Sequence, residues 1–149
     1  MRASLHGAVS LAGALGLWSV TGSLPAALWS VAGGVAIDLD HVLEYVLSRP
    51  SRWTPGGFFR FWAAYPLERI YLVFHGAEYI LVLGALAAWH VAPAVTGGLA
   101  FGLAHHLLCD QACNGVRAGG YSLLARAAWG FRSRRIFLAR ERRPSRDEP

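Results

Sequence analysis

Long stretches without a single arginine constrain this chain more than any other feature. All 14 basic residues are arginine, and apart from Arg2 none falls between Met1 and Val46, nor between Ile70 and Val116. A soluble helical protein carries charge along the outer face of each helix, and these stretches have no such face to offer water. Hydrophobic residues make up 54% of the chain and charged residues 15%, against roughly 25% charged in a soluble domain. The solvent implied for a single domain of this length is lipid. The first apolar stretch reads as a retained span rather than a signal peptide, because no clear cleavage site precedes a soluble domain and further apolar spans follow. Two cysteines, Cys109 and Cys113, are too few for a disulfide framework, and their spacing matches no familiar zinc pattern.

Cutting the apolar runs at their breakers predicts four spans. The first runs from about Leu5 to Val20 and stops at Thr21-Gly22-Ser23. The second starts at Pro25, a good first helical residue, and carries through Ile37 towards Val46. The third runs from about Ile70 to Val91 and is stopped by Pro93; the fourth occupies about Ala94 to Ala112. Each approaches the ~20 apolar residues that cross a bilayer. The connections near Thr21 and His90 hold no arginine, whereas Ser48 to Arg69 holds four and the C-terminal segment nine. By the positive-inside rule both termini and the middle loop face the cytoplasm of a bacterial-type inner membrane.

The expected fold is therefore all-α: a four-helix transmembrane bundle, residues 1–116, followed by a basic interfacial segment, 117–143, and a disordered tail, 144–149. The middle loop, Trp53 to Trp62, mixes aromatics with arginine and belongs at the headgroup level, either as a connector or as a lid hinged at Gly56-Gly57. Tyr121, Leu124, Ala128 and Phe131 share one face of a predicted C-terminal helix, with Arg126, Arg132, Arg134 and Arg135 around it, as in a helix lying on anionic lipid. No nucleic-acid recognition motif accompanies the charge, so the partners expected are membrane lipids and a small-molecule or lipid substrate.

Ionisable groups inside spans cost about 2.5–3.5 kcal/mol each on insertion scales, and this chain has many. With the topology applied, His6, Asp38, Asp40, His41, His75, Glu78, His106 and Asp110 fall in one layer at the cytoplasmic ends of the helices. His90 lies at the other end, and His105 points away from His106. His106 and Asp110 are four apart and share a helical face. His75 and Glu78, like Asp38 and His41, are three apart, the spacing by which bundles present imidazole and carboxylate to metals. Asp38 and Asp40 cannot share a face of a regular helix, so the helix is distorted there or one of them stands behind the ligands. Gly34, Gly98, Gly102, Ser10 and Gly13 continue the same faces, and small residues let membrane helices approach closely. Mixed imidazole and carboxylate ligands suit zinc first, then manganese or iron, as one or two divalent ions.

The ordered set also resembles the YdjM-like family of membrane-bound metal-dependent hydrolases. The resemblance rests on an N-terminal His, the Asp38-Leu39-Asp40-His41 element, a mid-chain His75 and the His106-Leu107-Leu108-Cys109-Asp110 element, covering about Leu5 to Asn114. Ala36-Ile37 stands where the family often has Leu-Pro, and Phe74-His75-Gly76-Ala77-Glu78 replaces a His-Arg-Gly pattern. The resemblance implies hydrolase chemistry, with a remote likeness to zinc-dependent phospholipases C and P1-type nucleases. The expected function is a metal-dependent hydrolase at the cytoplasmic membrane surface, with Glu78 or Asp40 taking the proton of a metal-bound water. The alternative is a non-catalytic metal-binding or transport protein of the membrane.

Overall fold

The computed structural model describes residues 3–48, 54–64 and 67–138, and the side chains of 3–6 and 63–64 lie outside that description. The His6 side chain and the tail 144–149 are therefore among the expectations outside the described residues. The described chain is helical, with no named strand. Its elements are α1 (Ala3–Thr21), α2 (Leu24–Ala36), α3 (Leu39–Leu47), α4 (Pro55–Ala64), α5 (Glu78–Ala88), α6 (Pro93–Cys113), α7 (Leu123–Ala128) and α8 (Ser133–Ile136). Two isolated antiparallel bridges, Arg69 to Arg132 and Val116 to Phe137, tie the C-terminal segment down.

The helix boundaries follow local chemistry. Gly22, at φ +66°, takes the left-handed conformation that ends α1. Ser23 then caps α2, its hydroxyl accepting from the Ala26 N–H, with Pro25 in the first turn. Pro93 likewise opens α6. Between α2 and α3 the helix tightens: the Asp38 and Asp40 N–H groups donate to the Val35 and Ile37 carbonyls at 3.2 Å each, three residues back. This is the distortion that the Asp38–Asp40 spacing requires.

α6 is the hub, with α1, α2 and α5 each packed on it and α1 also on α2. α2 and α6 run parallel, because Gly98 meets Ala26, Gly102 meets Ser30, and the Gly34 carbonyl meets His106 further along. The approach is close enough that a Cβ on Gly102 would collide with the Ser30 carbonyl, and one on Gly33 would come within 2.9 Å of the Leu99 oxygen. Backbones meet this closely only where small residues face each other. The outward faces carry Leu11, Leu15, Trp18, Leu28, Trp29, Leu81, Val82 and Leu108, all exposed. Among the described residues one helix, Leu24–Leu47, is long and apolar enough to cross a membrane.

Three expectations are corrected. The helix expected from Ile70 begins at Glu78 instead, and at 11 residues α5 rises only about 16 Å. Residues 70–77 are irregular instead. The C-terminal segment is not one continuous amphipathic helix but the short α7 and α8, folded back so that Arg126 is 1% exposed. Finally, Gly56 and Gly57 lie in the first turn of α4, where Gly57 makes room for the Tyr45 hydroxyl, so they form no hinge between elements.

The glycine seam predicts an asymmetric response to added methyl groups. Gly102→Ala should destabilise the fold by about 1–3 kcal/mol through overpacking, lowering the thermal midpoint read by circular dichroism in detergent. Gly16→Ala, where a Cβ meets nothing within 4 Å, should leave the midpoint unchanged or slightly higher.

Candidate metal centre

The centre depends on an irregular segment, so its backbone polar groups need partners before any ligand can be placed. The Tyr71 and Leu72 N–H groups donate to the Glu44 carboxylate, at 2.9 and 3.1 Å. The His75 N–H donates to Asp40 Oδ2 at 3.0 Å, and the Ala77 N–H to the Tyr121 carbonyl at 2.7 Å. The Arg126 guanidinium donates to the carbonyls of Tyr71, Leu72 and His75 at 2.8, 2.9 and 2.9 Å. Acids from α3 thus take the donors, and one arginine from α7 takes the acceptors. Burial draws that guanidinium below the usual arginine range, while the nearby Asp40, Glu78 and Glu44 charges favour its protonated form.

His75, fully buried, is the centre's pivot. Its Nδ1 lies 3.1 Å from Asp40 Oδ2, and a carboxylate can only accept, so Nδ1 carries the proton. In the neutral ring that tautomer leaves Nε2 a lone pair, and Nε2 is buried without a hydrogen-bond partner. It points towards Asp110 Oδ2, 3.9 Å away. His106 is held the same way: its Nδ1 meets the Gly34 carbonyl at 2.7 Å. That leaves its Nε2 facing Asp110 Oδ2 at 3.4 Å and Asp38 Oδ1 at 3.5 Å. His41 Nε2 lies 3.8 Å from the same Asp38 oxygen.

Two groups of side chains could hold a metal ion, Asp38-His41-His75 and His75-His106-Asp110, each with its ligand atoms within 4.8 Å of one another. These separations exceed the 2.7–3.2 Å of a good N–H···O hydrogen bond. The two shortest, from His106 Nε2 to Asp110 and Asp38 at 3.4 and 3.5 Å, are close to the spacing of about 3.3–3.4 Å between ligand atoms of a tetrahedral zinc with bonds of ~2.0–2.1 Å. A cation at this position would take the His75 and His106 Nε2 lone pairs and the Asp110 carboxylate together. The residues present therefore fit a divalent ion.

Of the eight candidates read from the sequence, the structure gathers Asp38, His41, His75, His106 and Asp110 around one point. Asp40 stands behind them, 2% exposed, orienting His75 through both its ring and its backbone. Carboxylates commonly orient metal-binding histidines in this manner. Glu78 is elsewhere. Because the helix starts at Glu78, the spacing to His75 is not helical and the two side chains diverge. The Glu78 carboxylate instead accepts from the Ser122 hydroxyl and the Leu123 and Leu124 N–H groups, the latter two at 2.9 and 3.2 Å, and so anchors the start of α7. His105 stacks on Phe101, centroids 6.0 Å apart, and lies over Gly13, as packing rather than ligation.

Two contributors escape sequence reasoning. Tyr121 stacks on His75, with centroids 6.3 Å apart and planes inclined by 24°, and its hydroxyl hydrogen-bonds to the Asp110 and Asn114 side chains. Burial, with the Asp110 charge beside it, raises that hydroxyl well above the usual tyrosine range, so it stays protonated as a donor to Asp110. Arg126 read as a lipid-facing charge. No sequence signal marks either, since both lie on a segment whose pattern fits a membrane surface equally well. On the open side, Trp62 of α4 donates to the His41 carbonyl at 3.1 Å and packs edge-on to the His41 ring at 4.6 Å.

Tyr121→Phe removes a donor to Asp110 but keeps the stacked ring, so metal affinity should fall about tenfold or more with little change in thermal midpoint. Arg126→Met strands three carbonyls and leaves Glu44 and Asp40 uncompensated. It should cost about 3–5 kcal/mol, seen as a large fall in the midpoint together with loss of metal. No family model, curated protein or solved structure matches this chain.

Proposed function

We propose that this chain is a membrane-bound, metal-dependent hydrolase acting at the cytoplasmic membrane surface on a phosphoester or another lipid-linked ester. The observation that carries the reading is the buried, unpartnered His75 Nε2, with Asp40 fixing its tautomer and Asp110 and His106 converging on the same point. The ordered Asp-x-Asp-His and His-x-x-x-Asp elements of the sequence support it, through their likeness to YdjM-like hydrolases. The apolar outer faces and the gathering of the described arginines at the centre's end of the molecule support a membrane setting with that end cytoplasmic.

His75, His106 and Asp110 are the buried members and form the holding triad, three protein ligands with a further position left for water, as catalytic zinc sites have. His75 belongs to both candidate groups and has one lone pair to give, so the two groups describe the surroundings of one ion. Zinc suits this donor set best, with manganese or iron next. When bound, such an ion lowers the pKa of water and polarises an ester oxygen. The side chains of Asp38 and His41 are 35% and 29% exposed, and these two form the solvent-facing rim. Asp38 is the group placed to take a proton from water, a role first assigned from the sequence to Glu78 or Asp40, both of which are committed to hydrogen bonds elsewhere. His41, under Trp62, is placed to orient the substrate.

Elemental analysis of the protein purified in mild detergent should find about one equivalent of zinc, manganese or iron, absent from a folded His106→Ala, Asp110→Ala variant. Asp38→Asn should keep the metal while hydrolysis of phosphoester substrates falls about a hundred- to ten-thousandfold. A wild-type protein that stays empty after metal is added back would overturn the reading. So would an Asp38→Asn variant of unchanged activity.

A further inference from the structure

The C-terminal segment builds a second polar feature that the metal centre does not use. Arg117, Arg134 and Arg135 line an open cleft of about 360 Å³ with Trp129 as its remaining wall. The chain brings these groups together by design of the backbone rather than by chance proximity. The Arg117 N–H donates to the Ile136 carbonyl at 2.9 Å and the Leu138 N–H to the Gly115 carbonyl at 2.8 Å, and Val116 bridges to Phe137. This pairing sets Arg117 beside α8, which carries Arg134 and Arg135. Gly120 packs under it, its α-carbon face against Val116 and the Ile136 carbonyl. The Arg117 Nε donates to the Phe137 carbonyl at 3.3 Å, which fixes one edge of the guanidinium and leaves its terminal nitrogens for the cleft.

Three guanidinium groups facing one space repel one another unless an anion lies between them. Among the described residues no carboxylate lines the cleft or forms an ion pair with any of the three. Arginine forks match phosphate oxygens two at a time, and the volume exceeds what a bare ion needs, leaving room for the group that bears it. The Trp129 indole gives that group a flat apolar wall. We propose that Arg117, Arg134, Arg135 and Trp129 form a binding site for a phosphate group, carried either by a lipid headgroup or by a soluble molecule. The cleft holds none of the metal-centre residues, so this inference goes beyond the hydrolase reading and does not rest on it.

The test measures binding of inorganic phosphate to the full chain in mild detergent by calorimetry. In parallel, it measures binding of the chain in nanodiscs to phosphatidylcholine vesicles with and without phosphatidic acid. Arg117→Gln and Arg134→Gln are compared with Arg60→Gln, which removes the same charge from exposed α4. Each cleft variant should weaken phosphate binding about tenfold or more, with Arg60→Gln near wild type. Arg117→Lys, which keeps the charge and loses the fork, should weaken it too. Loss confined to phosphatidic acid vesicles assigns the phosphate to a lipid; loss seen also with inorganic phosphate assigns the site to the phosphate group itself. Equal weakening by Arg60→Gln, or no difference between wild type and cleft variants towards either ligand, would overturn the site. Repeating the titration after chelation separates the two readings: phosphate binding that survives chelation supports the cleft whatever becomes of the hydrolase reading, whereas binding lost with the metal and unaffected by the cleft substitutions would overturn the cleft.

Discussion

The Arg126 guanidinium holds the carbonyls of Tyr71, Leu72 and His75, and the rest of the centre depends on that grip. A backbone that leaves the helix in apolar surroundings exposes donors and acceptors that lipid cannot satisfy, and such backbone persists only when protein groups take over. Here the division is clean, with Glu44 and Asp40 accepting from the N–H groups of 71, 72 and 75 while Arg126 serves the carbonyls. Hydrogen bonds to charged groups contribute about 1.5–3 kcal/mol each. Three of them, with three carboxylates nearby, offset the several kcal/mol that burying a lone guanidinium costs. Leu72 sits at φ +41°, a conformation that a leucine adopts only when its neighbours impose it.

That irregular segment meets a rigid scaffold. His106 and Asp110 stand on α6, whose distance from α2 is fixed by glycine against backbone rather than by side chains that could repack. The Gly34 carbonyl that orients His106 is free to do so because helix α2 ends just beyond it, at Ala36, and the terminal carbonyls of a helix lack partners within it. The same helix end therefore supplies an orienting group and, one turn on, Asp38. Precision comes from α2 and α6, and the remaining ligand is delivered by the clamped loop.

What the sequence discloses follows from how local each signal is. The break at Thr21-Gly22-Ser23, the interruption at Pro93, the small-residue seam and the His106–Asp110 spacing are decided within a few residues and were all readable. The Asp38–Asp40 conflict was readable as a conflict, and the structure resolves it with a tightened turn and with Asp40 placed behind His75. His75 was correctly placed in the layer but for the wrong local reason, since apolar periodicity through Ile70 to Ala77 suggests a helix that tertiary contacts replace. The roles of Glu78 and Arg126 were not readable, because the partners that define them are tens of residues away, as is the His75 ring on which Tyr121 stacks. An arginine beside an apolar stripe looks the same whether lipid or protein covers it.

The lengths of the helices decide how deep the centre lies. The Leu24–Leu47 stretch rises about 36 Å at 1.5 Å per residue, and Asp38 to His41 fall well short of its end. α5 is less than half as long and stops at the foot of the His75 loop. Beside the start of α5 lies α7, with Glu78 anchoring its first turn and Arg126 reaching inward. The centre therefore sits where α2 gives way to α3 and within a turn of the end of α6, recessed under α4 and the C-terminal segment. Recession removes water from His75, His106 and Asp110 and strengthens every charge interaction among them. It leaves Asp38 and His41, the two partly exposed members, as the solvent-facing side of the centre.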